Sequence, residues 1–175
     1  IRNMSSFMRR THHALGICPY ELCRIADVGD VSVNPIDVND TIVRVEDFFR
    51  EMHDAGAVPI SAGGDHLITL PIMRAIADTS RPLGMVHFDA HCDTGDSFMG
   101  ADYHHGVPFR RAVEEGLLDG TRVAQIGLRA TGYAADGANP NCPAVETPGG
   151  TFPGTPYVIC TGSDNGWYNY SPAQN

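Results

Sequence analysis

Leu83-Gly84-Met85-Val86-His87-Phe88, running straight into Asp89-Ala90-His91-Cys92-Asp93, is the stretch on which the fold turns. The apolar run has the length and character of a buried strand. Side chains two apart on an extended backbone point to the same side. Asp89, His91 and Asp93 are therefore expected to converge on one point if the chain stays extended just past the strand. Upstream, Gly63-Gly64-Asp65-His66 directly follows a second short apolar strand candidate, Ala57 to Ser61. Two successive strands that each end in metal-ligand chemistry point to one shared site.

Working outward, Leu22 to Val28 reads as a strand stopped by Gly29. Asp40 to Ala55 reads as a helix: Asp40 is placed to cap it, Ile42, Val45, Phe48, Phe49 and Met52 recur at helical spacing, and Gly56 ends it. Asp65 can cap a helix from about His66 to Ala77 with Leu67, Leu70, Met73 and Ile76 facing inward. Pro71 falls at its tolerant N-terminal end. Val107 to Gly116 reads as a short helix and Arg122 to Leu128 as a further strand. Strands alternating with helices at these intervals predict an α/β fold, with a mainly parallel sheet covered on both faces. Ligands bind such sheets beyond the carboxyl ends of the strands, where both ligand-bearing motifs lie.

At 175 residues and 18.9 kDa the chain has room for one domain with a core. A net charge of −9 argues against a nucleic-acid partner and is compatible with a small cationic substrate. No apolar run approaches the roughly 18–20 residues that span a bilayer, and the first residues do not read as a signal peptide. Five scattered cysteines without a Cys-x-x-Cys pair oppose both a disulfide framework and a structural zinc site. The expected compartment is cytoplasmic. The opening residue is Ile1, and the expectation is a chain that begins partway into a larger protein. From about Ala138 the text changes. Residues 138–175 hold only Glu146 and Asp164 as charged side chains, so they read as an irregular tail separate from a 1–137 domain.

Carboxylates with imidazoles and no obvious thiolate favour Mn²⁺ or a similar divalent ion. Asp89 has two oxygens to bridge a pair of ions, while His66 and His91 bind one each. Two ions about 3.5–4 Å apart can turn a shared water into a nucleophile near neutral pH. His104-His105-Gly106, at the end of the following loop, has two readings: a proton carrier for a leaving amine, or a solvated loop pair. His87 shares the period-two phase of Asp89 but sits deeper, and reads as a hydrogen-bonded core histidine rather than a ligand. Cys92 points away from the ligand side and reads as a small buried residue. Asp65 has two readings that can hold together, a helix cap and a partner that orients His66. Asp96 reads as a loop carboxylate, Arg110-Arg111 as the exposed side of a helix, and His12, His13 and His53 as solvated.

Gly63-Gly64-Asp65-His66, then Asp89-Ala90-His91-Cys92-Asp93, then His105-Gly106-Val107-Pro108-Phe109-Arg110-Arg111, in this order and spacing, resemble the ureohydrolase (arginase/agmatinase) family. The resemblance runs from about Ile1 to Gly137. The last motif, with Glu114-Glu115-Gly116-Leu117-Leu118-Asp119, looks like the agmatinase and guanidinobutyrase branch. It implies an arginase-like three-layer sandwich, incomplete here, in a homo-oligomer with two Mn²⁺ ions per subunit. By position, His66, Asp89 and Asp93 would serve one ion, with Asp89 bridging and His91 serving the other. His105 would be the proton carrier. The implied reaction hydrolyses a guanidinium compound, agmatine to putrescine and urea, with 4-guanidinobutyrate as the alternative substrate. The family's remaining ligands come from a later strand reading roughly Ser-x-Asp-x-Asp, which this sequence lacks. Ser163-Asp164-Asn165 has neither its spacing nor its flanking strand. The resulting expectation is a fragment, or a reading frame that shifts near residue 137, with four of six ligands and a second site left incomplete. A catalytically inactive chain is the competing reading.

Overall fold

The structure, a computed structural model, describes residues 2–126. The tail expected from residue 138 lies outside them. Its contacts divide the chain into two units, Ile1–Asp30 and Val31–Asn175. In the first, two single-turn helices, α1 (Arg2–Ser5) and α2 (Pro19–Leu22), accompany an isolated antiparallel bridge between His12 and Ile17. The Arg2 guanidinium holds the carboxylates of Asp27 and Asp30, each at 2.6 Å. The strand expected over Leu22 to Val28 does not form. Leu22 closes α2, and the residues after it have no ladder partner among the described residues and leave Ile25 and Val28 exposed. β-propensity makes a strand only where a neighbour supplies hydrogen bonds and a packing face.

The second unit carries the α/β core. Helix α3 (Val38–Asp54) starts earlier than expected, because Asp37 is the cap: its carboxylate accepts from the backbone N–H groups of Asn39 and Asp40. Asp40 sits in the first turn and pairs with Asn34 and Arg44 instead. Apolar periodicity locates the buried stripe but does not choose between two nearby aspartates. The stripe itself is as read, with Ile42, Val45 and Phe49 buried. The single helix expected after Asp65 is a 3₁₀ turn (His66–Ile68) that continues as α4 (Thr69–Ile76). Pro71 is accommodated in the first turn of α4, where no intrahelical N–H bond is forfeited.

Strand β1 (Leu83–Phe88) is followed by α5 (Pro108–Glu114) and β2 (Leu118–Ile126), and the two strands pair in parallel. Met85 lies opposite Val123, His87 opposite Gln125 and Phe88 opposite Ile126. β2 begins at Leu118, four residues ahead of the expected Arg122. Ala57 to Ser61, expected as a strand, forms none among the described residues, and Val58 and Ile60 are exposed.

The core lies on one face of this sheet. Leu70 and Met73 of α4, Val107 just ahead of α5, and Phe109 and Ala112 of α5 close over Leu118 and Val123, with Leu83 and Met85 at the margin. Each large apolar side chain buried here contributes about 1.5–3 kcal/mol. A second, smaller cluster, Val45, Phe49 and Ala75, stacks α3 on α4. Among the described residues the opposite face of the sheet has no helical layer, and Val86 and Phe88 are 64% and 74% exposed.

Candidate metal centre

The ligand-bearing segment leaves the carboxyl end of β1 as a turn, not as an extended chain. The Asp89 N–H donates to the Ile126 carbonyl at 3.1 Å, which ties the exit of β1 to the end of β2. The Asp89 Oδ1 then accepts the N–H of His91 at 2.8 Å, an Asx turn. Asp93 lies in the left-handed region at φ +55°, which aspartate tolerates better than most side chains. The chain reversal turns Asp89 and Asp93 to the same side and swings His91 outward. Convergence by strand alternation is therefore corrected. Asp89 and Asp93 do meet, but the His91 ring is 66% exposed, with its Nδ1 3.3 Å from Asp89 Oδ1.

His66 arrives from the other side on the 3₁₀ turn. Asp65 accepts the Leu67 N–H at 2.8 Å, so of its two readings the structure shows the cap. His66 Nδ1 lies 2.5 Å from Asp93 Oδ2 and 3.8 Å from Asp89 Oδ2. His87 completes the group, its Nε2 3.7 Å from Asp89 Oδ2. One ligand atom from each of His66, His87, Asp89 and Asp93 lies within 4.8 Å of all the others. Phe109 forms the floor, with its ring centroid 5.4 Å from that of His66 and 4.5 Å from that of His87. Two carboxylates and the His66 imidazole at this spacing are a hard-to-borderline donor set that fits a divalent ion, and the His87 imidazole lies directly beside them.

His87 was read as a hydrogen-bonded core residue, and it is one: it is buried, and Gln125 Nε2 meets its Nδ1 at 3.1 Å. It is also part of the cluster, the alternative that the sequence reading set second. The signal was its shared phase with Asp89. Burial first, and then the neighbouring His66, push the His87 imidazole below its ordinary value. For Asp89 burial works upward, but the His91 backbone N–H and the surrounding imidazoles outweigh it and hold the carboxyl low.

The loop from Thr94 to Gly106 is pinned beside the centre. Gly95 donates to the Gly106 carbonyl at 2.7 Å, and a Cβ on Gly95 would sit 3.1 Å from that same oxygen. His104 is absorbed into this loop: its Nε2 is 2.9 Å from the Asp96 carbonyl, and its Nδ1 accepts the Gly106 N–H. His105 is exposed, its ring 5.7 Å from that of His104, and it does not join the cluster. The expectation that Arg110-Arg111 lies on an exposed helix face is overturned. Arg110 is buried, pairing with Asp96 at 3.1 Å and Glu114 at 2.7 Å, and Arg111 reaches the same two carboxylates. Asp96 is the loop carboxylate it was read as, and the two guanidinium groups fasten it to α5. The legible clue was Glu114, one helical turn beyond Arg110. Cys92 is half-buried, and burial pushes its thiol up, as suits an inert residue.

Comparison with known proteins places this geometry. A guanidinopropionase of Pseudomonas aeruginosa is 57% identical over 137 residues, covering 78% of this chain and 43% of that protein. A mitochondrial agmatinase of Gallus gallus is 46% identical over 134 residues, covering 77% of this chain and 39% of the other. The solved proclavaminate amidino hydrolase of Streptomyces clavuligerus superposes with a TM-score of 0.64 at 34% identity, over 74% of this chain and 43% of that one. The chain thus spans about two fifths of the length of the relatives it matches, and its fold is the arginase-like α/β fold. The Arginase family profile matches residues 1–141, and the chain belongs to the arginase family.

Proposed function

We propose that the protein containing this chain is a metal-dependent hydrolase of guanidinium compounds. The observation that carries the reading is the meeting of His66, Asp89 and Asp93 at the carboxyl end of β1. Asp89 would help hold both of the Mn²⁺ ions that the family resemblance implies; its Oδ2 lies 3.8 Å from His66 Nδ1 and its Oδ1 3.3 Å from His91 Nδ1. His91 serves the second ion in this proposal. When bound, the ions supply a water acid enough to attack at neutral pH, and positive charge where negative charge develops. The chain's own groups do the rest. Asp93 keeps His66 turned inward, Phe109 fixes the two imidazole planes, and the pinned Thr94–Gly106 loop presents His105 at the surface as the carrier of a proton to the departing amine. The guanidinium carbon gains the water oxygen, its bond to the tail nitrogen breaks, and urea and a protonated amine leave.

Agmatine, giving putrescine and urea, is the substrate the sequence motifs suggested. A guanidino acid is the second reading, because the relative at 57% identity is named guanidinopropionase and another, at 44%, guanidinobutyrase. Homo-oligomeric assembly belongs to the same proposal. A reducing, cytoplasmic setting does too, since Cys18, Cys23 and Cys92 are free thiols. No described helix is long and apolar enough to cross a membrane. The test is urea release from agmatine, 4-guanidinobutyrate and 3-guanidinopropionate after loading with Mn²⁺. Activity on one of the three is expected. No urea from any of them leaves the chain as the inactive member that the sequence also allowed.

A further inference from the structure

His87 is buried beneath the cluster, and its Nε2 has no hydrogen-bond partner among the described residues. A buried polar nitrogen in that state calls for a role. Two are open to it: a lone pair offered to a metal, or an N–H offered to a carboxylate. Gln125, its partner across the β1–β2 ladder, decides between them. The Gln125 amide lies 2.9 Å from the Cys92 carbonyl and 3.1 Å from His87 Nδ1, both through Nε2. A carbonyl only accepts, so the NH₂ end must face Cys92, and its second hydrogen then points at His87. Nδ1 is the acceptor, and the ring proton is therefore on Nε2. That N–H looks toward Asp89 Oδ2 at 3.7 Å, about half an ångström beyond a hydrogen bond. Asp89 is restrained at its other oxygen by the His91 N–H, which leaves Oδ2 as the atom still to be oriented.

We propose that His87 is a positioning residue and not a metal ligand: Gln125 fixes its tautomer, and its Nε2–H orients the Asp89 carboxylate toward the ion. The inference rests on the metal-centre reading above. It assigns the His87–Gln125 pair a task that neither residue type nor position in the sequence discloses. Partners that hold a ligating carboxylate commonly change metal affinity by about 10–100-fold when removed.

The experiment is two-bond ¹H–¹⁵N correlation of the histidine rings of the full chain, recorded without metal and with the diamagnetic ion Zn²⁺. The expected result is that His87 Nε2 keeps its proton in both states, while His66 Nδ1 gives up its own on Zn²⁺ addition. Loss of the His87 Nε2 proton on Zn²⁺ addition would make it a ligand and overturn the proposal. An unchanged His66 would instead overturn the metal-centre reading, so the two failures are distinguishable. As a second measurement, Gln125→Leu should weaken Mn²⁺ binding about 10–100-fold. His87→Gln, whose amide nitrogen can stand in for Nε2–H, should restore most of the affinity lost in His87→Leu. Equal affinity in all four proteins overturns the positioning role.

Discussion

The two faces of the β1–β2 sheet start from similar side chains and end differently. On one, Met85, His87, Val123 and Gln125 lie under α4 and α5. On the other, Val86, Phe88, Ala124 and Ile126 pair just as regularly, yet Val86, Phe88 and Ile126 remain exposed. The covered face is the one that holds the candidate chemistry. A histidine can be kept in one tautomer only where packing excludes competing water and a fixed amide stands beside it. Among the described residues the open face offers apolar area without such a partner, and so it carries packing potential and no candidate site.

The largest expected effect lies at the covered face. Phe109 is 2% exposed and touches both imidazole rings, so Phe109→Ala removes core packing and the floor of the centre together. A loss of about 3–5 kcal/mol in chemical denaturation is expected, accompanied by weakened Mn²⁺ binding. A cost under about 1 kcal/mol would mean that the helices do not anchor this face as described. Asp93→Asn separates the site from its scaffold. Asparagine also tolerates φ +55° and can still accept from His66, but it lacks the charge. Folding midpoints should stay near that of the parent while Mn²⁺ affinity, read by calorimetry, falls on the order of 100-fold, about 2.7 kcal/mol. Unchanged affinity would remove Asp93 from the ligand set.

The covered face was largely legible from the sequence. The stripes of α3 and α4, the strand from Leu83 to Phe88 and the meeting of His66, Asp89 and Asp93 follow from periodicity and from where motifs sit relative to strand ends. What escaped was tertiary or conformational. His91 turned out because alternation was carried one turn past the end of β1, into a segment where Asp89 closes an Asx turn and Asp93 is left-handed. Arg110 was buried and Arg111 half-buried because a short helix between a loop and the sheet turns both toward Asp96 and Glu114, which neutralise them. Gln125 could not be tied to His87 without the register of β2. The strands read at Leu22 to Val28 and at Ala57 to Ser61 failed for one reason. Apolar, β-branched text states what a strand would bury, and only a partner makes it a strand.

The smallest effect should come from the open face, and its smallness is what gives it value. Phe88 is 74% exposed at the end of β1, with Ile126 beside it. Phe88→Thr puts a β-branched residue in the strand and removes a ring that nothing described packs against. A change within about 0.5 kcal/mol is expected in denaturant, as for surface substitutions generally. Sedimentation should at the same time show less self-association, because an exposed apolar sheet face next to a strand end is a surface for adhesion. A cost of about 2 kcal/mol or more would instead assign this ring to a buried contact. The two faces would then be alike in burial, and the location of the site would have to be credited to the turn chemistry at Asp89 and Asp93 rather than to the helices above it.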